Sequence, residues 1–226
     1  MEEPISSDSK VSFRQIIEGL SLRPKSGFFG YSSVILIRDG EENILFDTGG
    51  YGVRASLHTL LKNIVVHKVF LSHLHFDHCA NISLFTDAEV YVHQKEIDAL
   101  HSRSKSIYSD INDFIGASLE KARVVPFSSE QLVSKNTKIV FTHGHTEGHS
   151  SLEILSQGKK TIIAGDAIET YQEYLDDDCR TECSNKDSYL LSKKKLRDNF
   201  PVIVPGHSSI IEDGVLKDSA LSLRYF

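Results

Sequence analysis

The chain has 226 residues, of which 40% are apolar and 25% are charged, and its formal net charge is −6 at neutral pH. These values are typical of a folded globular protein, and the acidic balance argues against nucleic acid as the default partner without excluding it. No apolar run approaches the roughly 18 residues that a membrane span needs, so we expect no membrane insertion.

The first half of the chain predicts strands alternating with helices. A hairpin is indicated where two apolar strands flank Asp39-Gly40, a dipeptide typical of tight turns. Apolar residues at helical spacing predict a helix over residues 52–63, and a continuous apolar run predicts a buried strand over residues 66–71. The predicted strands are 11–20, 34–38, 43–46, 66–71 and 90–92, and the predicted helices are 52–63, 81–85 and 94–101.

The second half repeats this alternation. Residues 102–121, rich in Ser, Asp and Ile, predict a helical insertion over one rim, and the segment after Asp166 is predicted to be a long polar loop. The other predicted elements are strands at 123–127, 138–142, 151–155, 161–164 and 202–204, and a helix at about 187–198. Since no linker divides the chain, we predict a single mixed, layered α/β domain over residues 1–226.

One short stretch carries most of the chemistry. The predicted strand 66–71 stops at Ser72, and His73, His75, Asp77 and His78 follow within six residues. Packing alone does not explain four such side chains so close together, because histidine is polar at both ring nitrogens. Imidazole and carboxylate groups at this density indicate a metal site.

Three further candidates lie next to other predicted strands. His149 ends a glycine-rich turn that follows one strand, while Asp166 and His207 directly follow the ends of two others. Rigid strands hold such loops at one edge of a sheet, where function concentrates. The recurrence of this pattern is stronger evidence for a metal site than any single histidine.

Together these motifs resemble those of the metallo-β-lactamase superfamily. The matching stretches are Phe46-Asp47-Thr48-Gly49-Gly50, His73-x-His75-x-Asp77-His78, Gly144-His145-Thr146-x-Gly148-His149, Gly165-Asp166 and Gly206-His207. The resemblance covers roughly residues 34–211. It implies a four-layer αββα sandwich with a dinuclear metal site at one edge of the paired sheets.

The resemblance also implies a division of roles among the ligands. By the family pattern, one metal ion is held by His73, His75 and His149, the other by Asp77, His78 and His207, and Asp166 bridges them. Nitrogen and oxygen ligands suit two divalent ions, expected to be zinc, with iron or manganese as alternatives. Two such ions share a hydroxide that acts as the nucleophile. Asp77 and Asp166 are then the expected catalytic residues.

Asp47 is expected to accept a hydrogen bond from a ligand imidazole, although a turn-forming role fits its sequence context equally well. His143 and His145 exceed what two ions need, so we expect them in a turn or in a supporting role. Either Tyr171 or Tyr174 is a candidate to reach the site.

Two other features remain open at this stage. The aromatic loop 27–31 either lines a cleft or, as we favour, covers the end of a sheet. The three cysteines, Cys79, Cys179 and Cys183, form a sparse and odd-numbered set, so we expect free thiols in a reducing compartment. The acidic start lacks the features of a secretory signal, and we therefore expect a cytoplasmic protein.

For the substrate we expect a small ester, lactone or thioester. The region from Gly165 to His207 resembles that of the N-acyl homoserine lactonases, but Glu169 stands where the quorum-quenching members have a tyrosine. The alternatives are an RNA phosphodiesterase, as in the metallo-β-lactamase domain-containing protein 1 group, and a mononuclear iron oxygenase resembling the persulfide dioxygenases. By analogy with compact relatives, a homodimer is an open expectation.

Overall fold

The computed structural model describes residues 11–25, 27–102, 109–156, 158–179 and 181–218. The predicted domain 1–226 extends beyond these ranges and stays a prediction. The strands are β1 (Val11–Ile17), β2 (Leu20–Leu22), β3 (Phe29–Tyr31), β4 (Val34–Asp39), β5 (Glu42–Phe46), β6 (Lys68–Phe70), β7 (Glu89–His93), β8 (Arg123–Phe127), β9 (Leu132–Ser134), β10 (Thr137–Phe141), β11 (Ser150–Ser156), β12 (Lys159–Gly165), β13 (Val202–Pro205), β14 (Ile211–Glu212) and β15 (Val215–Leu216). The α-helices are α1 (Arg54–Leu60), α2 (Phe76–Cys79), α3 (Gln94–Ser102), α4 (Ser109–Glu120), α5 (Tyr171–Leu175) and α6 (Lys186–Asn199).

The first large sheet has the strand order β1-β4-β5-β6-β7-β8. Strands β4 and β5 form the predicted antiparallel hairpin, and Gly40 adopts the left-handed conformation (φ +64°) that the tight turn requires. Strands β5 to β8 are parallel neighbours, so their carboxyl ends meet at the same edge of the sheet.

The second large sheet has the order β15-β14-β13-β12-β11-β10-β9. Its centre pairs β11 with β12 antiparallel and β12 with β13 parallel. The carboxyl ends of β12 and β13, which precede Asp166 and Gly206, therefore lie side by side.

The two sheets pack face to face over one apolar core. Fully or almost fully buried side chains from both sheets meet there, among them Ile35, Phe46 and Phe70 from the first sheet and Ile139, Leu152 and Ile163 from the second. Their alternation along each strand places the intervening residues on the outer faces.

Helices cover those outer faces. Leu57 of α1 and Ile115 of α4 pack with the outer residues of the first sheet, and Leu196 of α6 packs with those of the second. The layers are thus helix, sheet, sheet and helix, which confirms the predicted αββα sandwich.

Some local predictions differ from the structure. The segment after Asp166, predicted as a loop, contains α5, whose first turn is capped where the Thr170 side chain accepts the Glu173 amide. The short hairpin β2–β3 was not predicted, because three-residue strands leave little periodicity. The predicted helical insertion contains α4, while its residues 103–108 lie outside the described ranges. Within the described ranges, no helix has the length and apolar character to cross a membrane.

Candidate metal centre

The candidate residues gather where strands of both sheets end at a common edge. Asp47 follows β5 and His73 lies just beyond its parallel neighbour β6. Asp166 follows β12, His207 lies just beyond β13, and His149 directly precedes β11. The topology of the two sheets therefore brings together residues that are far apart in sequence.

Asp47 lies fully buried beneath this cluster. Its Oδ1 accepts the Ser72 backbone amide (2.8 Å), and its Oδ2 accepts the Ser72 hydroxyl (2.8 Å) and contacts His78 Nδ1 at 2.7 Å. Burial raises the pKa of Asp47, and the neighbouring His78 and Ser72 oppose that effect. Asp47 also has a positive φ of +55°, which is uncommon for a residue other than glycine. The structure thus places Asp47 where a ligand imidazole needs an acceptor.

The hydrogen bonds of His78 and His207 fix which ring nitrogen carries the proton. His78 Nδ1 faces the Asp47 carboxylate, and His207 Nδ1 contacts the carbonyl oxygens of Leu20 (3.1 Å) and Tyr31 (3.0 Å). Carbonyl and carboxylate oxygens only accept, so both Nδ1 atoms donate, and in the neutral rings both Nε2 atoms carry the lone pair. These two Nε2 atoms lie 3.3 Å apart.

His73 and His149 follow the same pattern. The Ser72 hydroxyl donates to Asp47, so it accepts from His73 Nδ1 at 3.0 Å. The Ser151 hydroxyl donates to a backbone carbonyl, so it accepts from the Thr142 hydroxyl at 2.8 Å. Because the Thr142 proton is used in that bond, the Thr142 oxygen accepts from His149 Nδ1 at 2.9 Å. In all four imidazoles, therefore, Nδ1 is held from outside the cluster, and Nε2 carries the lone pair when the ring is neutral.

Within the described residues, three groups of three have their ligand atoms within 4.8 Å of one another. They are His73, His75 and His145; His73, His78 and Asp166; and Asp77, His78 and His207. Six of the seven predicted ligands belong to these groups.

His149 is the exception among the predicted ligands, because its Nε2 accepts the Asp166 backbone amide at 3.0 Å. His145 instead places its Nε2 3.0 Å from His75 Nδ1 and 3.4 Å from Asp166 Oδ2. His145 Nδ1, however, is buried without a hydrogen-bond partner, whereas His149 Nδ1 has Thr142. Metal-binding histidines almost always have an outer partner for the second nitrogen, which favours His149 as the ligand and His145 as its neighbour.

Burial and the neighbouring charges together set the pKa values of the side chains in the cluster. Burial lowers the pKa of His149 to about 3 and holds the pKa of His73 well below its ordinary value. Burial would also lower the pKa of His78, but Asp166, Asp47 and Asp77 together raise it well above the ordinary range. Although burial raises the pKa of Asp166, the imidazoles of His78 and His207 hold it well below its usual value.

Glu96 is a structural member of the site that no sequence pattern indicated. Its buried carboxylate accepts the Leu74 amide through Oε2 (3.0 Å) and the Gly148 amide through Oε1 (2.9 Å). Leu74 lies between His73 and His75, and Gly148 precedes His149. Glu96 therefore ties together two loops that carry candidate ligands. Backbone amides leave no side-chain signature in a sequence, so no pattern indicated this contact.

The remaining candidates lie elsewhere. The Tyr171 hydroxyl donates to the Gly214 carbonyl (3.2 Å), and its ring stacks on Tyr174, so these contacts hold both rings beside the β14–β15 turn. Cys179 and Cys183 are free thiols whose sulfur atoms lie 3.2 Å apart.

The donor set fits divalent metal ions. His73 Nε2 and Asp166 Oδ1 are buried without a hydrogen-bond partner, and the Nε2 atoms of His78 and His207 lie 3.3 Å apart. Buried acceptors without donors are costly, and a cation among them removes that cost. Imidazole and carboxylate ligands without thiolate suit zinc, iron or manganese.

Comparison with known proteins agrees with the fold. A probable metal-dependent hydrolase from Staphylococcus aureus superposes with a TM-score of 0.68 at 18% identity, covering 97% of this chain and 100% of that one. A quorum-quenching N-acyl homoserine lactone lactonase gives 0.68 at 20% identity, covering 92% and 94%. AidC, a dizinc quorum-quenching lactonase, gives 0.58 at 19% identity, covering 75% and 69%. At these identities the likeness concerns the fold. A search of curated protein sequences finds no significant match.

The family model described as the metallo-beta-lactamase superfamily matches residues 27–207, a span that begins just before β3 and includes every predicted ligand. The fold of this chain, the order of its motifs and the cluster at the edge of its sheets are all consistent with that match. The chain belongs to the metallo-beta-lactamase superfamily.

Proposed function

We propose that this protein is a metal-dependent hydrolase with a dinuclear site. The observation that carries the proposal is the convergence of the His73, His78 and His207 imidazoles beside Asp77 and Asp166. Protons would satisfy only part of such a set, since burial disfavours charge on His73 and His149.

In this proposal, His73, His75 and His149 hold one ion, and Asp77, His78 and His207 hold the other. Asp166 would be shared by both ions. Its Oδ1 lies 3.4 Å from His78 Nε2 and 3.5 Å from His207 Nε2. His149 would hold the first ion through Nε2, the atom that accepts the Asp166 backbone amide in this structure. The supporting contacts of Asp47, Ser72 and Thr142 keep the imidazoles in the required tautomer.

When bound, two divalent ions supply an activated water and polarise the carbonyl of a substrate. The protein's own contribution is to fix the geometry and to provide carboxylates that take up a proton. Asp77 is 18% exposed and thus lies at the open side of the cluster, whereas His73 and His78 are fully buried. Substrate therefore approaches from the side of Asp77.

We propose a small ester, lactone or thioester as the substrate class. Support comes from the lactonases among the structural neighbours. The quorum-quenching N-acyl homoserine lactone lactonase shares the fold over more than nine-tenths of this chain. A carbonyl substrate also needs no nucleophilic side chain when metal-activated water is available.

The test is a hydrolysis panel of esters, lactones, thioesters and phosphodiesters with zinc-, manganese- and iron-loaded protein. We expect carbonyl substrates to be turned over, and Asp166→Asn to lose at least about a hundredfold in kcat while the circular dichroism spectrum is retained. Asp98→Asn, at an exposed position on α3, is the matched control and should keep full activity.

Two outcomes would replace this proposal. Exclusive, salt-sensitive cleavage of RNA would identify a phosphodiesterase. One iron per chain with oxygen-dependent turnover would identify an oxygenase. An unchanged rate in Asp166→Asn would remove the assignment of this centre as the active site.

A further inference from the structure

The β2–β3 hairpin forms a wall of the candidate site. Arg23 directly follows β2 and Phe28 directly precedes β3. The Phe28 ring lies edge-on to the His207 ring at 6.1 Å between centroids, and the Arg23 guanidinium lies 5.2 Å from the Phe28 centroid. Phe28 is 42% exposed. The aromatic loop thus borders the centre itself and does not only cover the end of a sheet, the role expected from its sequence.

Glu169 holds the Arg23 side chain at this wall. The guanidinium Nη2 lies 2.9 Å from Glu169 Oε1, which also accepts the Ser21 hydroxyl at 2.8 Å. The Glu169 side chain is 2% exposed and that of Arg23 is 51% exposed. The ion pair therefore has a buried, fixed end and an open end that presents the cation to solvent.

Glu169 is in turn part of the framework of the site. Its backbone carbonyl accepts the His207 amide at 2.6 Å, and it lies one turn after Asp166. The position of Arg23 is thus coupled to two candidate ligands. Although burial lowers the pKa of Arg23, Glu169, Asp166 and Asp77 raise it overall, in keeping with its place beside these carboxylates.

Arg23 has the donors to recognise an anion there. A guanidinium offers five N–H groups in a planar fork, and the Glu169 contact uses one of its nitrogens. The guanidinium lies against the Phe28 ring and is open to solvent on its other side, an arrangement that suits carboxylate binding.

We propose that Arg23, oriented by Glu169, binds a carboxylate carried by the acyl substrate at a distance from the scissile carbonyl. This rests on the proposed function, and it narrows the proposed class of esters, lactones and thioesters to those that carry a carboxylate. Phe28 then forms the apolar surface between the carboxylate and the metal centre.

The direct test compares two esters that differ in one group. The p-nitrophenyl monoester of glutaric acid carries a carboxylate, and the p-nitrophenyl ester of glutaramic acid carries a neutral amide in its place. We expect the zinc-loaded protein to prefer the carboxylate in kcat/KM by about tenfold, the range of a charge-assisted hydrogen bond. Arg23→Gln should abolish this preference, because kcat/KM should fall about tenfold more for the carboxylate ester than for the neutral ester.

Lys25→Gln is the matched control, because it removes an exposed cation from the same loop. The preference should survive in that variant. An equal loss on both esters in Arg23→Gln would show that Arg23 only fastens the hairpin and would overturn the proposal. A preference for the carboxylate ester that persists unchanged in Arg23→Gln would overturn the proposal as well.

A binding measurement separates this inference from the proposed hydrolysis. Isothermal titration calorimetry of zinc-loaded protein with glutarate and with glutaramate measures how much the second carboxylate adds to the binding affinity, and it requires no turnover. We expect glutarate to bind about tenfold more tightly, and this advantage to disappear in Arg23→Gln. If no ester is hydrolysed but the advantage appears and depends on Arg23, the anion site stands and the hydrolase assignment falls. Equal affinities for the wild type would refute the anion site.

Discussion

At the scale of single residues, Asp47 has the widest influence on the centre without belonging to the ligand groups. Its two carboxylate oxygens hold Ser72 and His78, and through Ser72 they also orient His73. One carboxylate thus determines which nitrogen of two imidazoles faces the ions. Its left-handed backbone shows that the β5 end is shaped to deliver it there.

Replacing Asp47 by asparagine should therefore weaken metal binding about 10- to 100-fold. An amide cannot stabilise a His78 Nδ1–H as a carboxylate does, and its NH₂ group competes for the same space. Competition with a chelator of known affinity measures the change. Asp39→Asn is the control, since Asp39 is also buried and hydrogen-bonded but lies with Asn136, outside the cluster. It should lower stability and leave metal affinity unchanged; equal metal loss in both variants would refute the role of Asp47.

Proton binding by His149 is a second property of a single side chain. Its pKa in the folded state is about 3, far below the ordinary 6.5. The folded metal-free protein therefore binds fewer protons than the unfolded chain between these values. The stabilising effect of neutral His149 is fully present above pH 6.5 and is lost progressively as the pH falls towards 3.

We therefore expect His149→Gln to flatten the pH dependence of the free energy of unfolding by about 1.4 kcal/mol per pH unit below pH 6.5. Urea unfolding of metal-free protein at several pH values gives this slope. The exposed His58, changed to Gln, should leave the slope as in the wild type. Equal slopes in the wild type and His149→Gln would contradict the burial of a neutral imidazole.

At the scale of elements, helix α3 acts as a brace between two loops. Glu96, in its first turn, accepts amides from the His73–His75 stretch and from the turn before His149. The fit is tight, because a Cβ at Gly148 would come within 2.8 Å of Glu96 Oε1. The glycine of this motif is thus needed for the approach of the carboxylate.

We expect Glu96→Gln to lower metal affinity and to cost about 1–3 kcal/mol in the free energy of unfolding. A glutamine offers one acceptor oxygen for two amide donors, and its NH₂ group must face one of them. Cobalt-substituted protein reports the ligand geometry through its visible spectrum, which a purely global loss of stability would not shift. Asp98→Asn on the same helix is the control. An unchanged cobalt spectrum in Glu96→Gln would show that the brace does not position ligands.

Elements also show where sequence reasoning succeeds and where it fails. The ligand motifs were readable because their side chains are rare, polar and adjacent to apolar strands, as in His73 to His78. Glu96 and Arg23 were not, because their partners are backbone amides or a carboxylate distant in sequence. The cap at Thr170 that starts α5 was likewise hidden in a polar segment.

At the scale of the whole molecule, the two sheets explain why distant motifs form one centre. Parallel pairs β5–β6 and β12–β13 both end at the shared edge, and the core between the sheets fixes their relative position. This layering followed from the family resemblance and is confirmed. The hairpin β2–β3 borders the same edge, since the Leu20 and Tyr31 carbonyls hold His207.

The measurement that tests the central claim most directly is the number of divalent ions that each chain retains. Purified protein is loaded with zinc, passed through a desalting column and analysed by inductively coupled plasma mass spectrometry. We predict two ions per chain for the wild type. We predict at most one for His207→Ala, because this substitution removes the Nε2 atom that would hold the second ion. A folded wild-type protein that retains no ion, or a His207→Ala variant that retains two as tightly as the wild type, would contradict the account.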